Sequence, residues 1–145
     1  MKSITTTNLL SELKQTKDIN QFLEAHDLES STSAPSTYLS HLLTAHNMKP
    51  SQLAVEALMD RSFTYQLING TRTPNRNILL RFAFALHLSL IETQHLLLHY
   101  QKGELYVRIL HDALIIYAIE NHLNLADIND LLIQYNQAAL LYDEK

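Results

Sequence analysis

The chain has 145 residues, 46% of them hydrophobic, with a net charge of −4, which suits one ordinary domain with a buried core and argues against disorder. It has no cysteine, which excludes a disulfide scaffold and a cysteine-type zinc finger and is compatible with a reducing cytoplasm. The chain has only two glycines and three prolines, the residues that most often break helices, and this favours an all-α fold. No apolar run approaches the ~20 residues that span a bilayer, and the N-terminus lacks the apolar segment of a signal peptide, so no membrane association is predicted.

Charge is unevenly distributed along the chain. Residues 1–34 hold three basic and five acidic residues (−2), residues 35–81 five basic and two acidic (+3), and residues 82–145 three basic and eight acidic (−5). Phosphate binding depends on the local potential rather than on the total charge. An anionic partner would therefore bind the middle third, and its modest +3 predicts weaker and less salt-sensitive binding than a strongly basic regulator shows.

The N-terminal region is predicted to form a helical arm followed by a linker. Asn8–His26 has apolar residues at helical spacing, which fits one helix or two short helices broken near Lys17–Asp18. The Ser-, Thr- and Pro-rich segment after it has no periodicity. We assign residues 1–28 to the arm and 29–37 to the linker.

The segment Gln52–Pro74 predicts two short helices joined by a tight turn. Asp60 is placed to cap the second helix, and Asn69–Gly70 to end it, because glycine takes positive φ without strain. The buried side would be supplied by Leu53, Ala57, Met59 and Leu67. Such a pair is a helix-turn-helix, the commonest device for placing a helix in the major groove of DNA.

Further helices are predicted on both sides of this pair. Tyr38–His46 precedes it, and Pro50 suits the first position of the helix that follows. Asn75 and the capping box Ser89–Glu92 begin two more helices.

The last two of these helices recur in the C-terminal part of the chain. A shift of 35 residues aligns eight pairs, Leu79/Leu114, Ala83/Ala118, His87/His122, Leu88/Leu123, Leu90/Leu125, Leu96/Leu131, Leu97/Leu132 and Tyr100/Tyr135. It also places the caps Ser89 and Glu92 on Asn124 and Asp127. We therefore assign residues 38–102 to a helix-turn-helix domain and 103–145 to an extra C-terminal helical hairpin.

Residues 38–100 resemble the lambda-repressor-like, XRE-type helix-turn-helix domain of phage repressors and Cro proteins. The resemblance is carried by Ser51–Leu53, Asp60, Gln66–Leu67, Asn69–Gly70, Arg72, Pro74, Leu79–Leu80, Ala83 and Ala85–Leu86. The whole chain is similar to single-domain bacterial regulators with a helical arm and an extra hairpin. The resemblance implies a five-helix bundle that binds duplex DNA sequence-specifically, usually as a dimer on a palindrome, as repressors do.

The chain departs from the family pattern at two positions. Leu58 stands where a turn glycine is usual, so the turn must follow another backbone path or bear a strain of ~1–2 kcal/mol. Lys49 stands where a capping Ser or Thr is usual.

The helix from Asp60 to Asn69 is the expected recognition helix. With Asp60 as its cap, the exposed face carries Arg61, Ser62, Tyr65, Gln66 and Asn69, while Phe63, Thr64, Leu67 and Ile68 turn toward the core. By the resemblance, Arg61, Ser62 and Gln66 meet base edges, where Arg–guanine and Gln–adenine pairs are each worth ~1–3 kcal/mol of discrimination. The family uses the following loop against phosphate, which assigns Asn69, Thr71, Arg72 and Arg76 to phosphate contacts.

Other chemistry has little support in the sequence. There is no glycine-rich phosphate loop, nucleophile elbow or paired-carboxylate pocket, so neither an enzyme nor a cofactor is predicted. His95 and His99 have a zinc-chelating spacing without an evident third ligand, so no metal site is predicted.

Two functions stay open. The first is a cytoplasmic DNA-binding regulator, homodimeric through the arm or the C-terminal hairpin. The alternative, favoured by the acidic flanks and Leu58, is an adaptor that keeps the helix-turn-helix fold and binds a protein partner through the arm or the hairpin.

Overall fold

The computed structural model describes residues 6–25 and 34–140, whose secondary structure consists of nine α-helices and no strand. The predicted all-α fold is therefore confirmed. The helices are α1 Thr6–Gln15, α2 Ile19–Ala25, α3 Pro35–Ala45, α4 Pro50–Glu56, α5 Arg61–Ile68, α6 Arg76–Ala85, α7 Leu90–His99, α8 Leu110–Glu120 and α9 Leu125–Gln134. They form two compact units, one with α1 and α2 and the other with α3 to α9. None of the described helices combines the length and apolarity that crossing a membrane requires.

The first unit has two short helices, the second of the two alternatives that the spacing allowed. α1 ends at Gln15 and α2 begins at Ile19, where the Asp18 carboxylate accepts a hydrogen bond from the Asn20 N–H (3.0 Å). Residues 26–33, which include most of the predicted linker, lie outside the described residues. The linker prediction is wrong for residues 35–37, because α3 already begins at Pro35. The fixed φ of proline suits the first turn of a helix.

Six helices of the second unit end with one backbone geometry. The second residue after the helix takes a left-handed conformation at Asn47 (φ 53), Leu58 (φ 57), His87 (φ 56), Gln101 (φ 56), His122 (φ 56) and Asn136 (φ 59). In each, the next N–H returns to a carbonyl five residues back, as in Leu88 N–H to Ala83 O at 2.9 Å. This is the Schellman ending, which glycine normally occupies. The chain forms all six endings without glycine.

The predicted repeat is confirmed at the level of helices and caps. Shifting α6 and α7 by 35 residues gives residues 111–120 and 125–134, which match α8 and α9. Both capping boxes form, with Ser89 Oγ accepting from Glu92 N–H (3.1 Å) and Asn124 Oδ1 from Asp127 N–H (2.8 Å). We call residues 76–105 the first repeat and 111–140 the second.

The segment after each hairpin is held in the same way. Gln94 Oε1 accepts from the Leu105 N–H (2.8 Å), and at the equivalent position Asn129 Oδ1 accepts from the Leu140 N–H (2.6 Å). Both leucines are buried. Residues 141–145, the end of the predicted C-terminal hairpin, lie outside the described residues.

The two repeats contact each other reciprocally. α7 of the first repeat meets α8 of the second, and α9 of the second meets α6 of the first, so exchanging the repeats turns one contact into the other. This is the pattern of two halves related by a two-fold axis rather than of a solenoid. We call the positions that are buried in both repeats, such as Leu97 with Leu132 and Thr93 with Ile128, the shared core.

The helices α3 and α4 pack on the other side of the first repeat. α3 contacts α7, where the Tyr38 and His99 rings stack with centroids 3.8 Å apart and His46 Nε2 lies 2.9 Å from Glu92 Oε2. Burial alone would raise the pKa of Glu92, but the hydrogen bonds from the Ser89 N–H and His46 outweigh it and leave the pKa lowered. α4 contacts α6, which places α5 at the edge of the unit beside α3 and α4.

Candidate nucleic-acid interface

The turn between α4 and α5 decides how α5 is presented. It spans Ala57 to Asp60, and the Leu58 N–H and Met59 N–H return to Val55 O (3.1 Å) and Ala54 O (2.9 Å). Of the two paths open to a chain without the turn glycine, Leu58 takes the left-handed one, with φ 57. Its side chain is 58% exposed, so little packing compensates a strain of ~1–2 kcal/mol.

A buried arginine holds this turn against α6. Arg81 is 5% exposed and donates to Ala57 O through Nε and Nη2 (3.2 and 2.8 Å) and to Leu58 O through Nη2 (2.7 Å). The carbonyls at the end of α4 carry the negative end of its dipole, so a cation is favoured there. Arg81 therefore fixes the angle at which α5 leaves the turn.

The start of α4 has only half of a capping box. Gln52 Oε1 accepts from the Lys49 N–H (2.9 Å), but the Lys49 ammonium has no lone pair with which to accept from Gln52 N–H. The missing Ser or Thr at this position thus leaves one amide of the first turn without its usual side-chain acceptor.

The two sides of α5 are divided as the spacing predicted. Asp60 Oδ2 accepts from the Phe63 N–H (2.8 Å), which confirms the cap. Thr64 and Leu67 are buried, and Phe63 and Ile68 are half-buried. The residues predicted for the outer side are exposed or half-buried, and they are Arg61, Ser62, Tyr65, Gln66 and Asn69.

Two aromatic contacts orient the arginines next to this surface. The Arg61 guanidinium lies 5.5 Å from the Tyr65 ring centroid, with Nη2 3.4 Å from its hydroxyl. Arg72 lies 5.7 Å from the Phe63 ring centroid, and its N–H donates to Gln66 O (3.1 Å). Both distances are in the cation–π range, which limits the rotamers of the two side chains.

The loop after α5 is built to bring Arg72 back beside the helix. Gly70 has φ 85, a conformation that side chains rarely adopt, so the backbone favours glycine there; a Cβ would also come within 2.9 Å of Ser36 Oγ, which would have to rotate away. Asn69 Oδ1 accepts from the Thr71 N–H (2.8 Å), an Asx turn that orders the loop. The Thr71 and Arg72 side chains are exposed at its tip.

Arg76 does not belong to this surface, and its assignment to phosphate contacts is withdrawn. Its Nη1 and Nη2 donate to the two carboxylate oxygens of Asp112 (3.0 and 2.9 Å), while Nε and Nη2 donate to Gly103 O (2.9 Å) and Glu104 O (3.1 Å). Asp112 is 2% exposed. The guanidinium thus ties the two repeats together, because a buried carboxylate needs a paired cation.

These contacts reduce the charge that the basic third of the sequence offers to an anion. Of its five basic residues, Arg81 is buried and Arg76 is paired, which leaves Lys49, Arg61 and Arg72 exposed. Glu56 and Asp60 are exposed as well, so the exposed side chains of residues 35–81 carry a net +1 instead of +3.

Sequence reasoning missed Arg81 and Asp112 as residues that position the surface. A signal existed for Arg81, because it interrupts the apolar run Ile78–Leu86, where a charged side chain must find internal acceptors. Asp112 follows His111 in a helix that otherwise reads as apolar, but nothing local connects it with Arg76.

The zinc-like histidine pair has another arrangement. The His99 ring nitrogen Nδ1 lies 2.8 Å from His95 O, and its ring stacks on Tyr38. Among the described residues no group of three His, Asp or Glu side chains is arranged to hold a metal ion.

Comparisons of the chain with protein-family models, with curated proteins and with solved structures find no match.

Proposed function

We propose that the chain is a cytoplasmic transcriptional regulator that binds duplex DNA sequence-specifically, with α5 as the recognition helix. The observation that carries the proposal is the surface of α5 and its loop. A capped helix, anchored on one side by Thr64 and Leu67, turns Arg61 and Tyr65 to solvent and leaves Gln66 half-exposed beside them. Side chains of this kind on a rigid helix are what direct readout in the major groove needs.

The roles follow from donor and acceptor chemistry. Arg61 is suited to guanine O6 and N7, Gln66 to adenine N6 and N7, and Ser62 to either base. Tyr65 offers a ring to a thymine methyl group or a sugar. Thr71 and Arg72, with the amide branch of Asn69, supply donors that would fix the helix on the phosphate backbone.

The exposed charge sets the expected strength of binding. With Lys49, Arg61 and Arg72 exposed, each protomer would neutralise about two or three phosphates. Each phosphate contact changes the slope of log K against log salt by about −0.9, so we expect a slope of about −2 to −3 per protomer. Affinity would then depend largely on base contacts.

Dimerisation would let the chain recognise a palindrome, with half-sites about one turn of DNA apart. The arm is a candidate contact between protomers, because Leu10, Leu13 and Ile19 are exposed large apolar side chains on its two helices. Sedimentation equilibrium of Leu10→Glu tests it, since this change would leave the chain monomeric if two arms pair.

The division of labour on the surface is tested with two alanine variants. Arg61→Ala is expected to lower affinity mainly for the preferred sequence, by about 5- to 100-fold, whereas Arg72→Ala lowers it on any duplex. Fluorescence anisotropy on a selected and on a scrambled duplex measures both. Arg108→Ala removes an exposed positive charge outside the surface and is the matched control. Equal losses on both duplexes for Arg61→Ala would contradict the assignment.

A second function, protein binding by the same fold, is favoured by one observation. Arg76 and Arg81 use their guanidinium groups inside the protein, which leaves little positive charge around α5. No anisotropy change with mixed genomic duplex at 20 mM salt would favour this function over DNA binding.

A further inference from the structure

The two repeats differ in what covers their outer side. Phe82 and Tyr100 of the first repeat are 0% and 8% exposed, whereas the equivalent Tyr117 and Tyr135 of the second are 56% and 49% exposed. Leu114 and Leu131 are half-buried, although their counterparts Leu79 and Leu96 are fully buried. We call Leu114, Tyr117, Leu131 and Tyr135 the outer face of the second repeat.

This difference has an identifiable cause. Positions in the shared core are buried in both repeats, so a position buried only in the first repeat is covered by something that the second lacks. α6 and α7 are packed against α4 and α3, whereas the main neighbours of α8 and α9 within the second unit are α7, α6 and each other. The second repeat thus keeps an apolar face for a helix that the second unit itself does not supply.

The first repeat shows what kind of helix fits. α3 buries Leu39, Leu42 and Leu43, at positions i, i+3 and i+4. One turn later, at i+7, His46 reaches the Glu92 carboxylate at 2.9 Å. Glu92 is the acid of the capping box of α7. The first repeat therefore binds α3 through an apolar stripe and through one charged group at a defined distance from that stripe.

The second repeat keeps the acid and surrounds it with more negative charge. Asp127, the equivalent of Glu92, is the acid of the capping box of α9 and is exposed. Glu120 and Asp130 are exposed on the same hairpin, and among the described residues of the segment 106–140 the one Lys or Arg is Arg108. The face is therefore complementary to a cationic helix, and two such faces would repel each other.

We propose that the outer face of the second repeat binds an amphipathic helix of another protein, with apolar residues at i, i+3 and i+4 and Lys or Arg at i+7. The three apolar side chains pack on Leu131 and Tyr135 of α9, as α3 packs on α7, with Leu114 and Tyr117 of α8 at the edge of the contact, and the cation meets Asp127. This is the helix-in-groove mode, with the internal contact of α3 as its template. The proposal uses none of the α5 residues and does not depend on DNA binding.

The test uses a synthetic peptide in place of the partner. It has the sequence of residues 34–49 with His46→Arg and a fluorescent label at its N-terminus, and its anisotropy is followed as the full chain is added. We expect saturable binding with a Kd below about 1 mM, weakened at least about tenfold by Tyr135→Ser. Ile91→Ser, which also removes a large exposed apolar side chain (69% exposed) but lies on α7 of the first repeat, is the control and should leave binding unchanged.

The charge is tested separately by a double-mutant cycle. Asp127→Asn removes the charge and keeps an oxygen that can accept from the Asn124 N–H, so the cap of α9 is preserved. It should weaken the Arg peptide several-fold and leave a peptide with His46→Gln almost unaffected. Urea midpoints of all variants close to that of the original chain show that folding is intact.

Three results would overturn the proposal. One is the absence of saturation at 1 mM protein, and another is an equal loss for Tyr135→Ser and Ile91→Ser. The third is a dimer of the chain that Tyr135→Ser dissociates in sedimentation, since this would assign the face to another molecule of the same chain.

Discussion

Replacing Arg76 by alanine is expected to destabilise the second unit without lowering the DNA affinity of the molecules that stay folded. Asp112, 2% exposed, would keep the Tyr106 N–H (2.9 Å) and lose both guanidinium contacts. Removing one partner of a buried ion pair costs ~3–5 kcal/mol. Because the Arg76 side chain is 32% exposed, solvent can replace part of the pair, and we expect a lower value of about 2–3 kcal/mol.

Equilibrium unfolding in urea measures this loss. At an m-value of about 2 kcal/mol/M, the midpoint should fall by about 1 to 1.5 M, while the exposed control Arg108→Ala should change stability by less than about 0.5 kcal/mol. Adding Asp112→Asn to Arg76→Ala removes the stranded charge and should restore about 1 kcal/mol. An Arg76→Ala variant that is no less stable than Arg108→Ala, or that loses as much DNA affinity as Arg72→Ala, would contradict this role of Arg76.

Three further stability predictions concern the turn at Leu58, the cap at Lys49 and the buried hydroxyl of Tyr100. Leu58→Gly should raise the unfolding free energy by about 0.5–1 kcal/mol, because relief of left-handed strain exceeds the added entropy of the unfolded chain; a lower urea midpoint would contradict this. Lys49→Ser should add about 0.5–1 kcal/mol by completing the capping box of α4, seen as a higher melting temperature that Lys49→Ala does not reproduce. The Tyr100 hydroxyl is buried without a hydrogen-bond partner among the described residues, and its burial raises the pKa to about 12 from 10.0. The stability that protonated Tyr100 contributes is therefore intact below pH 10 and is lost as the pH rises through 12. Tyr100→Phe should be at least as stable as the original chain at pH 7, because it removes the unpaired hydroxyl. Measured by urea unfolding, the variant should also lose less stability than the original chain between pH 10 and 12.

Local rules predicted most of the helices of the second unit. The caps at Asp60, Asn75, Ser89 and Asn124 depend on bonds between residues three apart, so residue type and spacing suffice to find them. The division of α5 into a buried and an exposed side follows from the helical period in the same way.

The remaining features depend on contacts that the sequence does not encode locally. Arg76 reads as a basic residue near the loop of a helix-turn-helix, and its partner Asp112 is 36 residues away. The corner at Leu58 could not be chosen from residue type, because a leucine in the left-handed region is an exception that the surrounding helices impose. The repeat was visible in the sequence, but its reciprocal packing was not, since alignment shows equivalence and not contact.

The central claim is that α5 and its loop bind duplex DNA. Selection of bound sequences from a random duplex library, at low salt and with full-length protein, tests it most directly. The account predicts enrichment of a palindrome whose half-sites are about one helical turn apart, with relaxed preference at one position in Gln66→Ala. Failure to enrich any sequence, with no retention of duplex above the level of an Arg61→Ala/Arg72→Ala control, would contradict it.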